Sequence, residues 1–374
     1  MIQNSLIFIH MKFIFLLLIL LAFSCSRGEE IDRSQSSDVE FPVSITEFTL
    51  DKVQIANVLF KENKILTSDN HLISMNINSD TLFRVFELPN YTYKGAFGVQ
   101  GQGPNEYYYP ESASFNLAKG GITTGDLKTV RLLKLPLSGK VNDQRVKTVN
   151  TIKKPSNLQL GNKLIDILDG TILCASQIRG TKKHLICYDS SDNTLIDSVS
   201  FPSPPIPIHK NALANLFINS ASFSNDKDKF VVAYSMFPMI RIVDLKTGST
   251  ITKTLKSAPA QKEIKMMPGN GTINSIELIS YYSSVKVTSK YIYAIYQPKE
   301  RFKKELLNES GNIGTRTLGP RELHVFDWEG NPILKIEQED WMYTLTPLQD
   351  DSGIIYVHPE VSNFLFRLNL PNLN

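Results

Sequence analysis

Gly101-Gln-Gly-Pro-Asn-Glu-Tyr107 is the densest chemical signal in the chain. Gly101 and Gly103 permit positive φ or close backbone approach, and Pro104 fixes the chain. Glu106 with Tyr107, Tyr108 and Tyr109 offers a carboxylate beside aromatic surface. The same residues suit a rigid loop that locks two neighbouring elements, and that reading is preferred to a ligand loop. No Lys-Ser/Thr pair follows the glycines, so a phosphate cradle is not indicated. Arg316 and Arg321 flank Leu318-Gly-Pro320 and could grip an anion bidentately. Their neighbours Lys299, Arg301, Lys303, Lys304, Glu300, Glu305 and Glu309 are of mixed sign and read as a solvated surface. His358 and Glu360 stand in Val357-His-Pro-Glu-Val-Ser-Asn, read as a short loop on the same face. H-E-x-x-H, G-x-S-x-G, P-loop and EF-hand patterns are all missing. His71, His184, His209, His324 and His358 are scattered, so a zinc cluster has no local support, and no metal site is expected from spacing.

Cys25 calls for different chemistry. Lys12 precedes the apolar run Phe13–Phe23, which is short for a membrane span and right for an export signal. The run stops at Ala22-Phe-Ser-Cys25, which resembles a bacterial lipobox, with Cys25 the lipidated residue of the mature chain. Several acyl chains there make a lasting membrane anchor. Residues 1–10 hold no Lys or Arg, which favours Met11 as the true start. Residues 1–24 are thus read as a lipoprotein signal peptide, 25–39 as a flexible tether and 40–374 as the folded domain.

Cys174 and Cys187 sit in two strand-like runs joined by Arg179-Gly-Thr-Lys182. A two-residue turn at Gly180-Thr181 sets them directly opposite each other, at a pair where side chains are closest. Two buried thiols are the preferred reading, with a disulfide left open because export permits one.

The elements that must position these residues repeat along the chain. The 374 residues are 42% hydrophobic and 21% charged, far from a disordered composition, and 40 Lys plus Arg against 37 Asp plus Glu leave no field for nucleic acid. Six β-rich runs recur: Lys64-Ile-Leu-Thr, Gly121-Ile-Thr-Thr, Thr171-Ile-Leu-Cys, Phe230-Val-Val-Ala-Tyr, Tyr291-Ile-Tyr-Ala-Ile-Tyr and Ile354-Ile-Tyr-Val. Each is followed by a second, alternating run, the first being His71-Leu-Ile-Ser-Met-Asn. Inner strands precede several units, as in Ser284-Val-Lys-Val, and outer strands follow turns such as Asp244-Leu-Lys-Thr-Gly248. Four antiparallel strands per repeat and six repeats specify an all-β, six-bladed β-propeller. The last repeat lacks an outer strand, so the orphan run Phe41–Leu50 is expected to complete blade six and close the ring. Long connections gather on one face, where outer strands lead to the next blade and second strands lead to third.

The lipobox, the blade count and the GQGPNEY sequence together resemble the TolB-like six-bladed propeller lipoproteins of Bacteroidetes. Asn105 stands where that family often has a smaller residue. The resemblance implies an envelope location, lipid-anchored at the outer membrane on its periplasmic or exposed face, and Glu29, Glu30 and Asp32 look like that group's acidic surface-export signal. It implies no reaction. The expected role is a monomeric binding module for a glycan, peptide or envelope protein through the loop-rich face. An envelope hydrolase or lyase with calcium in the central channel is the alternative.

Overall fold

The computed structural model describes residues 34–371 apart from 47–49, 54, 56–63, 69, 104–105, 119–120, 137, 159–163, 169, 177–182, 204–216, 218, 260–278, 298–301, 308–312, 319–320, 339–341 and 360–363. The chain divides into a leader unit, Met1–Gln35, of which only Ser34 and Gln35 are described, and the unit Ser36–Asn374. The second unit is a six-bladed β-propeller, and its described residues contain no α-helix.

Three short strands lead in: β1 (Ser34–Val39), β2 (Ser44–Ile45) and β3 (Asp51–Lys52). Blade one is β4 (Lys64–Ser68), β5 (His71–Met75), β6 (Thr81–Glu87) and β7 (Thr92–Val99). Blade two is β8 (Asn116–Ala118), β9 (Gly121–Gly125), β10 (Thr129–Lys134) and β11 (Lys147–Lys153). Blade three is β12 (Leu164–Ile167), β13 (Ile172–Ser176), β14 (Lys183–Asp189) and β15 (Leu195–Ser200). Blade four is β16 (Asn219–Phe223), β17 (Lys229–Tyr234), β18 (Met239–Asp244) and β19 (Thr250–Leu255). Blade five is β20 (Tyr282–Val287), β21 (Tyr291–Tyr296), β24 (Arg321–Asp327) and β25 (Pro332–Gln338), interrupted by the hairpin β22 (Phe302–Leu307) and β23 (Ile313–Leu318). Blade six is β26 (Met342–Pro347), β27 (Ile354–Pro359) and β28 (Phe366–Asn369), completed by β3.

Burial explains the sequence pattern. Middle strands such as β17, Lys-Phe-Val-Val-Ala-Tyr, are apolar on both faces because each blade is packed on two sides, whereas the outer strand β15 is largely exposed. Each junction between neighbouring blades encloses its own apolar cluster. Phe83, Phe97, Phe115 and Ile122 fill the one–two junction, and Val53, Phe86, Tyr356 and Leu365 fill the six–one junction. Turn chemistry works as read: Asp244 Oδ1 accepts the backbone N–H of Lys246 at 2.9 Å and of Thr247 at 2.8 Å, and Gly248 takes φ 69°.

Three features differ from the sequence reading. Lys64–Ser68 is the inner strand of blade one and His71–Met75 its second strand, one place earlier than expected, because a short apolar run has no signature of its position in a blade. The ring is closed from the N-terminal side by Asp51–Lys52, with Lys52 opposite Phe366 and Asp51 opposite Arg367. Within the run Phe41–Leu50, Ser44–Ile45 instead lies parallel to β25, and Phe41 packs its ring 4.4 Å from that of His324. The third is β1, which occupies the end of the stretch read as a tether. Its Val39 carbonyl accepts the Lys256 N–H at 3.2 Å and its Ser37 hydroxyl accepts from Lys253 Nζ at 3.0 Å, so it covers the outer edge of blade four.

Candidate functional site

After β7 the chain makes the GQGPNEY loop. Gly101 N–H donates to the Tyr107 carbonyl at 3.2 Å, Tyr107 N–H to the Val99 carbonyl at 2.9 Å, and Gly103 N–H to the Glu106 carboxylate at 2.7 Å. A Cβ on Gly101 would stand 2.0 Å from Glu106 Oε2, and one on Gly103 2.9 Å from Glu106 Cδ. The two glycines are therefore the space in which the Glu106 carboxylate folds back on its own loop. Tyr107 is buried between Phe83 and the Arg131 guanidinium, 4.5 Å over its ring, and burial pushes its hydroxyl pKa up to about 12. Arg131 Nη2 also donates to the Glu106 carbonyl at 2.8 Å. This geometry ties blade one to blade two. Pro104 lies outside the described residues.

The next two residues turn outward. Tyr109 is 60% exposed at φ 54°, a left-handed conformation that costs a bulky residue energy, and its ring centroid is 4.5 Å from that of Tyr108. Lys128 Nζ lies 4.8 Å over the Tyr108 ring, and Leu127 N–H donates to the Tyr109 carbonyl at 3.1 Å. Below them Lys154 is fully buried, donating to the Asp126 carbonyl at 2.5 Å and pairing with the Glu111 carboxylate. Burial pushes the Lys154 pKa down and the Glu111 pKa up, with each partner opposing the shift of the other. The aromatic pair thus stands on a rigid base, at the connection from one blade to the next.

The other expected residues are dispersed. Arg316 lies in β23 of the blade-five hairpin, with its backbone opposite Lys304, and Arg321 opens β24. His358 is not in a loop: it lies within β27, opposite Thr344, and is 7% exposed, because the strand continues through Pro359 at the buried end of blade six. Glu360 and Cys25 lie outside the described residues. Cys174 and Cys187 are opposite one another in β13 and β14 and are joined by a disulfide, where the sequence reading preferred two thiols.

The central channel holds groups that the sequence reading passed over. The inner strands surround a cavity of about 40 Å³ lined by Asp166, Lys227 and Lys286, with Asn116, Ser222 and Thr346 among its polar wall. Lys227, at φ 59° after β16, reaches the Asp166 carboxylate at 2.5 Å and the Leu117 carbonyl at 3.0 Å. Lys64 Nζ donates to the Ser112 carbonyl at 2.6 Å and to Asn116 Oδ1 at 3.2 Å. Asp166 also accepts from the Thr123 hydroxyl at 2.9 Å. Among the described residues no three His, Cys, Asp or Glu side chains converge, and two ammonium groups beside one carboxylate in the cavity wall are a poor donor set for calcium. Lys286 sits in Ser284-Val-Lys-Val, quoted above as an inner strand; a lysine on such a strand was the available signal.

The model of the TolB-like 6-blade propeller family matches residues 46–346. No curated protein sequence matches the chain. Among solved structures, the fold is similar to a member of the DUF4221 family from Bacteroides vulgatus, with TM-score 0.57, 10% identity, and coverage of 86% of this chain and 99% of that one. It is also similar to a Bacteroides fragilis protein named "Putative exported protein", with TM-score 0.53, 12% identity, and coverage of 90% of this chain and 100% of that one. At such identities the likeness is one of fold.

Proposed function

We propose that this chain, which belongs to the TolB-like six-blade propeller family, is an exported binding module held in the cell envelope through lipidated Cys25, and that it takes its partner on the face carrying Tyr108 and Tyr109. The observation that supports the reading is Tyr109, a large aromatic side chain held exposed in a conformation it would not adopt unaided. Two rings set edge to face at 70°, with a lysine over Tyr108 and the Tyr109 ring exposed, suit stacking of a sugar or a peptide segment against Tyr109. The hairpin β22–β23, inserted between second and third strands, rises on the same side of the ring as the connection that holds Tyr109, because alternate turns of an antiparallel blade share a face. Export agrees with the apolar run Phe13–Phe23, and no helix among the described residues is long and apolar enough to cross a membrane.

The test is to probe glycan and peptide arrays, and envelope extract, with the full chain purified in detergent. Capture of one class that drops at least about tenfold in Tyr109→Ala is expected, as for loss of a central aromatic contact. Capture that Tyr109→Ala leaves unchanged sinks the assignment of this face. Separately, Cys25→Ala should move the protein from the membrane to the soluble fraction, and retention there would refute the anchor.

A further inference from the structure

Taken together, the channel groups do not balance. Lys227 and Lys286, from the turn after β16 and from β20, line the cavity, Lys64 from β4 stands behind it on Asn116 Oδ1, and Asp166 from β12 is the one carboxylate among the described lining residues. The residues that β8 and β26 give to the cavity wall, Asn116, Leu117, Thr346 and Pro347, do not titrate. Lys227 is paired with Asp166, which leaves two cations. Lys64 has only the neutral oxygens of Ser112 and Asn116. Lys286 makes no hydrogen bond or ion pair with any described residue, although it lines the cavity. Ammonium groups inside a ring of protein, with no counter-charge, are costly.

We propose that the cavity binds a small free oxyanion, of the phosphate, sulfate or carboxylate type, with Lys286 as the principal contact and Lys64 as the supporting charge. Charge and size both point there. A cavity of about 40 Å³ holds a few water-sized groups, the size of a small ion or acid. The Ser222 hydroxyl stands in the same wall to donate to it, its bond to the Phe223 carbonyl being 3.5 Å long. Asp166, already engaged by Lys227 and Thr123, is not open to repel it fully. Burial draws the Lys286 pKa down to about 8, and that of the nearby Lys64 is also lowered, by burial and by Lys286 itself. An anion would favour both charged forms, so binding takes up protons near pH 8 and weakens as the pH climbs past it.

The experiment is a thermal-shift and calorimetric titration of the full chain with inorganic phosphate, sulfate and acetate at pH 7.0 and 9.5, at constant ionic strength set with a large organic salt. At pH 7.0 at least one of the three should raise the melting temperature and bind with net proton uptake in buffers of different ionisation heat. Lys286→Met should weaken that binding at least about tenfold, while Lys246→Met, which removes an exposed charge on a blade-four turn, should not. Should Lys286→Met fail to fold, Lys286→Arg carries the test, since its charge persists at pH 9.5: binding retained there, where the original chain loses it, supports the proposal. No response to any of the three anions, binding that survives Lys286→Met, or a parallel loss at pH 9.5 in Lys286→Arg overturns it. Because Tyr109 is not involved, this result is independent of the array experiment on the loop face.

Discussion

His184 shows how burial sets chemistry at a single residue. It is fully buried, its Nε2 is 2.9 Å from the Tyr234 hydroxyl, and burial, helped by the Arg241 charge, draws its pKa down to about 3. The unfolded chain binds a proton there at about pH 6.5 and the folded chain does not, so stability falls as the pH drops from about 6.5 toward 3, by up to about 1.4 kcal/mol per unit. His324 is shifted in the same direction, chiefly by burial, with Glu322 opposing. Urea midpoints should therefore fall between pH 7 and pH 5, and His184→Gln, which keeps a partner for Tyr234, should flatten that slope; an unchanged slope would show that His184 is not its source. Lys154 tests the opposite arrangement, a buried cation with a partner. Lys154→Ala leaves Glu111 behind in the junction of blades one and two and should cost about 3 kcal/mol in urea unfolding. A cost under about 1 kcal/mol would mean that water reaches Glu111 freely.

At the scale of strands and turns, covalent and steric locks replace charge. The Cys174–Cys187 disulfide staples β13 to β14 inside blade three, and changing both cysteines to Ala should lower stability by about 2–3 kcal/mol, read as a shift of the urea midpoint. An equal midpoint for the variant and the oxidised parent would show the bond to be idle. Gly95 in β7, at φ 136°, lies so close to the connection between β10 and β11 that an added Cβ would stand 2.0 Å from the Val141 carbonyl oxygen. Gly95→Ala should unseat that connection and raise proteolysis within residues 135–146. What the sequence reveals depends on range. Turns such as Asp327-Trp-Glu-Gly330 and the pairing of Cys174 with Cys187 are local and readable, and six repeated units follow from them. Blade one was read one strand out because Lys64-Ile-Leu-Thr and His71-Leu-Ile-Ser look alike until the ring decides which faces the axis. The channel lysines, and the outward turn of Tyr109 beside a buried Tyr107, depend on neighbours far along the chain, and no spacing rule encodes that.

Over the whole ring, side chains stitch every inner junction. The Thr67 hydroxyl donates to the Pro347 carbonyl between blades one and six, Lys64 bridges one and two, Asn116 donates to the Ile165 carbonyl between two and three, Lys227 binds Asp166 between three and four, Ser220 accepts the Val285 N–H between four and five, and Gln349 donates to the Val287 carbonyl between five and six. A closed belt shares load, so loss of one blade should weaken all of them. Removing residues 366–374 deletes β28 and the partner of β3, and the shortened chain should lose its near-ultraviolet circular dichroism and elute as aggregates. A monomeric, cooperatively melting product would show that the clasp is dispensable. The clasp also imposes a timetable. Asp51 meets Asn369 across 318 residues, so at ribosomal speeds the strand made first waits on the order of tens of seconds for its partner. Until then the ring cannot close, and the strand edges that the clasp later covers stay open to pairing with other chains.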